Sequence, residues 1–160
     1  IVFEGSRAEL CTRIELEEGA RFIGWETSCL GRPAANEGFT AGYYRQRFEI
    51  WRVGVPVLIE RSLFAGGGEM LQAAWGLRGF NVSATLIALP ADEQVLALVR
   101  AAVRTVEPDL FAASLINGTL VCRYLGRETE DARRAFIAAW RVIRPRLTGH
   151  AMCEPRIWMT

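Results

Sequence analysis

The sequence predicts an α+β fold, mainly β. Three observations carry that prediction. The first 65 residues alternate in polarity between turn-forming clusters, the pattern of strands. After residue 90 the apolar residues switch to helical spacing, twice. Between those two helical stretches an Asn-Gly pair separates two short apolar runs, a hairpin signal.

In chain order, Val2 to Glu4, Glu9 to Leu16, Arg21 to Leu30, Tyr43 to Trp51 and Val55 to Leu63 read as strands, expected to be antiparallel. Glu17-Glu18-Gly19, residues 31–42 and Val53-Gly54 supply the turns. In Leu10 to Glu17, Cys11, Arg13, Glu15 and Glu17 are mostly polar and Leu10, Thr12, Ile14 and Leu16 mostly apolar, so one face of the sheet is wetter. The three glycines within Ala65 to Glu69 are read as a flexible hairpin loop. A phosphate cradle would need a following Lys-Ser/Thr pair and a helix, which the sequence does not supply.

Asn81 to Leu89 is the next strand. Pro90 and Asp92 open a helix expected to reach Val106, with Val95, Leu98, Val99, Ala102, Val103 and Val106 on one side and Glu107-Pro108 ending it. Leu110 to Ile116 and Thr119 to Leu125 form a hairpin about Asn117-Gly118, which suits a type I′ turn. A last helix runs from Glu128 to Arg144 with the stripe Ala132, Ala135, Phe136, Ala139, Trp140 and Ile143. Glu128, Glu130 and Asp131 near its start and Arg141 and Arg144 near its end complement the helix dipole. The order strand, helix, hairpin, helix implies two helices covering one face of a small antiparallel sheet.

Composition narrows the function classes. With 51% hydrophobic and 23% charged residues the chain is globular. No apolar run of membrane-spanning length and no signal-peptide pattern is present. Net charge is +1, with eight Arg against ten acids in residues 1–75 and eleven Arg against eight acids in residues 76–160. That imbalance is too small and too dispersed for a nucleic-acid interface. Every basic side chain apart from His150 is Arg. The cysteines, Cys11, Cys29, Cys122 and Cys153, lack C-x-x-C spacing, and are expected to be reduced thiols in a cytoplasmic protein.

Two acids stand out. Glu26 in FIGWETSCL and Glu60 in VPVLIERSL sit inside apolar strands, where an unpaired charge is costly. Either they pair with Arg32, Arg45, Arg47 or Arg61 on neighbouring strands, or they line a hydrated passage and handle a divalent cation, for which carboxylate is an exchangeable ligand. His150 and Cys153, with Met152 between them, offer a weak second metal candidate, since no further ligand pair accompanies them. The chain has one His, no G-x-S-x-G and no H-E-x-x-H, and is expected not to be an enzyme. A pair of strand acids working as in glycoside hydrolysis would need a compact cleft.

Seven segments follow one another in order: GWE at 24–26, CLGRPAANEGF at 29–39, RFEIW at 47–51, VLIER at 57–61, RYLG at 123–126, W-x-x-I-R-P-x-L-x-G at 140–149 and PRIWMT at 155–160. Together they resemble the UreD (UreH) family of urease accessory proteins, nearly end to end. Members of that family are longer, so the chain, which starts with Ile in mid-strand, is expected to be the C-terminal portion of one UreD-like domain. Its parts are expected to be a β-rich stretch (1–80) from a larger β-helix-like or β-sandwich assembly, a helix-covered sheet (81–149) and a docked tail (150–160), the N-terminal part being missing.

The resemblance also implies a role. UreD proteins are chaperones that work with a helical accessory protein, UreF, and a GTPase, UreG, on the urease apoprotein, and promote insertion of nickel. On that likeness Glu26 and Glu60 match acids of a nickel route, and Glu37 joins them through the pattern G-R-P-x-x-x-E-x-F, met by Gly31, Arg32, Pro33, Glu37 and Phe39. Glu37 and Arg32 could equally clamp a turn. Arg61, Pro155, Arg156 and Trp158 are further positions of the family pattern. No tightly bound cofactor is expected, only transient nickel(II), and neither nucleic acid nor membrane is an expected partner. The rival reading is an interaction scaffold that nickel never touches.

Overall fold

The computed structural model describes residues 1–104 and 110–159. Its elements in order are β1 (Arg7–Leu16), β2 (Phe22–Cys29), β3 (Tyr43–Arg52), β4 (Val55–Ala65), β5 (Val82–Leu89), α1 (Glu93–Ala102), β6 (Leu110–Ile116), β7 (Thr119–Gly126) and α2 (Thr129–Thr148). The α+β, mainly β, prediction is therefore met. The strands form two sheets, β1-β3-β4 and β2-β5-β7-β6.

One expectation about the first half fails. β1 and β3 run parallel, Arg7 beside Tyr43 through Leu16 beside Arg52, whereas the remaining strand pairs are antiparallel. A parallel pair needs a crossover rather than a tight turn, and here β2 supplies it by leaving for the other sheet, where it pairs with β5. Val2 to Glu4 is not a strand either: only a single bridge joins Val2 to Leu30.

β5 explains the layering. Ala84, Leu86 and Ala88 point to the helices, while Ile87 and Leu89 point to the three-stranded sheet, and all five are buried. A strand covered on both sides is apolar on both sides, which is why VSATLIAL hardly alternates. The order of layers is thus sheet, sheet, helices. The largest cluster lies under the helices, where Ala132, Ala135, Phe136, Ala139 and Ile143 of α2 meet Leu86, Leu120, Cys122 and Tyr124. Leu98, expected on the helical stripe, is only half-buried.

Local signals account for the element ends. Asp92 caps α1 by accepting from the Val95 N–H at 2.8 Å. The helix stops at Ala102, short of the expected Val106, because Val103 is already extended; its side chain still fills the core. Val106 and Glu107-Pro108 lie outside the described residues. α2 runs past its expected end, through Pro145 to Thr148. Pro145 leaves the Arg141 carbonyl without its intrahelical donor, a cost met at an exposed position near the helix end, while continuing the helix buries Leu147. Gly149, at φ 71°, closes it by donating to Pro145 O at 3.0 Å.

Asn117 and Gly118, at φ 48° and 74°, make the expected turn between β6 and β7. The glycine run after β4 is not a hairpin loop. Gly66 and Gly67 donate to Gly42 O and Phe39 O, and a Cβ on Gly66 would lie 2.3 Å from the Ala41 carbonyl carbon. Glycine is required there by close packing of two backbones.

Candidate functional site

Strand alternation determines which side chains enter the gap between the sheets. On β2, Ile23, Trp25 and Cys29 turn to the helices, so Glu26 and Ser28 turn the other way. On β7, Cys122 and Tyr124 face the helices and Arg123 does not. The register places Glu26, Thr85 and Arg123 side by side on β2, β5 and β7. Opposite them, Thr12, Phe48 and Glu60 form the corresponding row on β1, β3 and β4.

These two rows bond to each other. Glu26 accepts a short hydrogen bond from the Thr12 hydroxyl and another, 2.5 Å long, from Gln46 Nε2. Arg123 donates to Glu60 Oε2 at 3.1 Å and more closely to Oε1, and also to Thr85 Oγ1 at 3.1 Å. Ser28 and Tyr44 close the series, Oγ to Oη at 2.9 Å. The result is a polar seam inside the sandwich. On one side of it lie Phe48, Ile50, Ile87 and Leu89, and on the other Leu30, Tyr44, Phe64 and Leu71.

Neither carboxylate found the partners that strand neighbours suggested. Glu60 is forked by Arg123 from the facing sheet, and among the described residues Glu26 is held by neutral donors. Its charge is therefore not cancelled by a hydrogen-bonded cation, and two hydrogen bonds leave part of its acceptor capacity unused. The pKa of the nearby Tyr44 hydroxyl is pushed up by burial, a rise that the Ser28 bond opposes and the Glu26 carboxylate adds to. The Glu60 side chain keeps 21% of its surface exposed and Arg123 keeps 53%, so the seam is wet on that side.

Glu37 lies elsewhere. It accepts from Arg32 Nε at 2.9 Å and from the Glu4 N–H at 3.0 Å, and residues 32 and 37 also bridge through their backbones. These bonds, Arg32 first, hold its carboxyl below the usual range. Gly31, at φ 78°, comes so close to this turn that a Cβ would lie 2.5 Å from Glu37 O. Pro33 opens a short 3-10 turn, and Phe39 is buried. A cavity of about 490 Å³, lined in part by Glu37, Phe39, Gln72 and Asn81, opens beside this turn.

His150 and Cys153 are both exposed, and among the described residues no group of three His, Cys, Asp or Glu gathers to hold a metal. Pro155, Arg156 and Trp158 belong to the tail. Trp158 packs 4.9 Å from Trp140 and 5.5 Å from Trp25, ring centre to ring centre, while Arg133 donates to its carbonyl at 2.9 Å. Arg61 points away from the seam. Sequence reasoning missed Arg123, Thr12, Gln46 and Thr85 as partners of the acids. Arg123 carried a readable signal, since a cation inside TLVCRYLG is as anomalous as Glu60 inside its own strand.

Comparison with known proteins decides the family. The description "UreD urease accessory protein" matches residues 1–159. The chain belongs to the UreD family. It is similar to "Urease accessory protein UreD 2" of Brucella anthropi, 39% identical over 161 residues that cover 100% of the chain and 59% of that relative. It is likewise 40% identical to "Urease accessory protein UreD" of Pseudomonas fluorescens, covering 100% of the chain and 57% of the relative. The chain thus spans less than two thirds of the length of these UreD relatives. No helix among the described residues is long and apolar enough to cross a membrane.

Proposed function

We propose that the protein carrying this chain is a non-enzymatic accessory protein of urease that helps nickel reach the urease metallocentre. In this reading it acts in the cytoplasm in a complex with UreF and the GTPase UreG, and docks on the urease apoprotein. GTP hydrolysis falls to the partner, in keeping with the lack of G-x-x-x-x-G-K-[ST] in this sequence.

The observation that carries the reading is Glu26: a carboxylate in the seam between two sheets whose hydrogen bonds, among the described residues, come from Thr12 and Gln46. A lone carboxylate beside a hydroxyl and an amide would bind a divalent cation weakly and exchangeably, as a carrier requires. Glu60 differs, because the Arg123 fork already neutralises it. It is better placed to order the seam than to ligate. That pairing favours, at this position, the alternative of an interaction scaffold without direct contact with nickel.

The two readings separate in the full-length protein. Glu26→Gln keeps the size and removes the charge, and it turns one of the two acceptor oxygens into a donor that Gln46 can meet by turning over its own amide. The carrier reading expects several-fold lower urease activation with the complex still assembled, together with a saturable heat of nickel binding in the parent that the variant loses. Unimpaired activation by Glu26→Gln, with no nickel heat in the parent, leaves the scaffold.

A further inference from the structure

The three-stranded sheet has a second face, turned away from the seam. Alternation puts Arg7, Glu9, Cys11, Arg13 and Glu15 of β1, Arg45, Arg47, Glu49 and Trp51 of β3, and Ile59, Arg61 and Leu63 of β4 on it. Five arginines oppose three glutamates there. Arg45 is answered by Glu9, and Arg13 and Arg47 by Glu15 and Glu49. Arg61 has no ion-pair partner among the described residues.

Arg61 is also directly opposite Arg47 in the antiparallel pair of β3 and β4. Like charges facing each other across strands are destabilising. Glu49 already binds Arg47, which leaves one positive charge of the pair unanswered, and a further carboxylate between the two guanidinium groups would meet it. The flanking residues are Ile59 and Leu63, exposed by 43% and 50%. Two guanidinium groups answered by the one carboxylate of Glu49 and bordered by exposed aliphatic side chains have the composition of an interface rather than of a solvated surface.

We propose that this outward face, centred on Arg47 and Arg61 and bordered by Ile59 and Leu63, docks an acidic segment of a partner protein, one carboxylate of which lies between the two arginines. The surface is separate from the seam and from nickel handling, so it stands or falls independently of them.

A decaglutamate peptide titrated into the full-length protein at low salt tests it, followed by heat or by amide shifts of β3 and β4. The wild type is expected to bind, with affinity falling as salt rises, and to ignore decalysine. Arg61→Glu is expected to weaken binding at least about tenfold, while Arg61→Lys, which keeps the charge but not the fork, loses less. Amide spectra that stay dispersed in each variant show that folding is intact. Equal binding by Arg61→Glu overturns the proposal. So does a wild type that takes up no peptide, the result expected if the rest of the full-length chain covers this face.

Discussion

Arg123 on β7 and Glu60 on β4 meet across the gap between two sheets, although 63 residues separate them in sequence. Among the described residues the pair is the charged contact between the two sheets, and its partial exposure limits its strength. Exposed ion pairs contribute about 1 kcal/mol or less.

A double-mutant cycle with Glu60→Gln and Arg123→Gln is therefore expected to give a coupling energy of about 0.5–1 kcal/mol in urea unfolding. The value should shrink in 1 M salt. A coupling above about 3 kcal/mol contradicts the wet seam described here, because only a dehydrated pair reaches it.

Glu37 supplies a pH-dependent prediction. Arg32, then the Glu4 N–H, lower its pKa below 4.5 in the folded chain. Stability from such a carboxylate is complete above the unfolded value and is lost as pH falls through the folded one. Hydrogen exchange at the Arg32 and Glu37 amides, corrected for intrinsic rates, should quicken below about pH 4.5. In Glu37→Gln that acid-side change should be absent, and its persistence would assign it to another group.

The turn between β3 and β4 holds Val53 at φ 47°, a region that β-branched residues avoid, although the side chain is 62% exposed. Asn tolerates that conformation, so Val53→Asn should stabilise by about 1 kcal/mol and raise Tm by about 2–4 °C. A lower Tm in calorimetry would mean that the valine makes a contact worth more than its strain.

Thiol chemistry should divide the cysteines two and two. Cys11 and Cys153 are exposed, whereas Cys29 and Cys122 are buried, and burial pushes the Cys122 thiol up to about 12. Brief alkylation of the native protein at pH 8 followed by peptide mass analysis should label Cys11 and Cys153 only. Rapid labelling of Cys122 would show that the layer under the helices opens readily.

Much of this architecture is legible locally. The stripe from Ala132 to Ile143, the Asn117-Gly118 turn and the inward direction of Glu26 and Glu60 each depend on residues close in sequence. The parallel pairing of β1 with β3 was not legible, because it depends on where β2 goes, and β2 reads as a strand whichever sheet it joins. For the same reason Glu60 was matched with arginines of nearby strands when its partner came from the opposite sheet. Polarity patterns say which way a side chain points. They do not say what waits there.

The excursion of β2 into the far sheet has a kinetic consequence. Its eight residues pair with Val82 to Leu89, about sixty positions downstream, while β1 waits for β3 about thirty-five positions away. Neither sheet can be finished from neighbouring hairpins alone, so the contact order is high and assembly should be slow and concerted. Separately produced pieces cut between β4 and β5 would leave β2 an orphan edge, prone to recruit strands from other molecules.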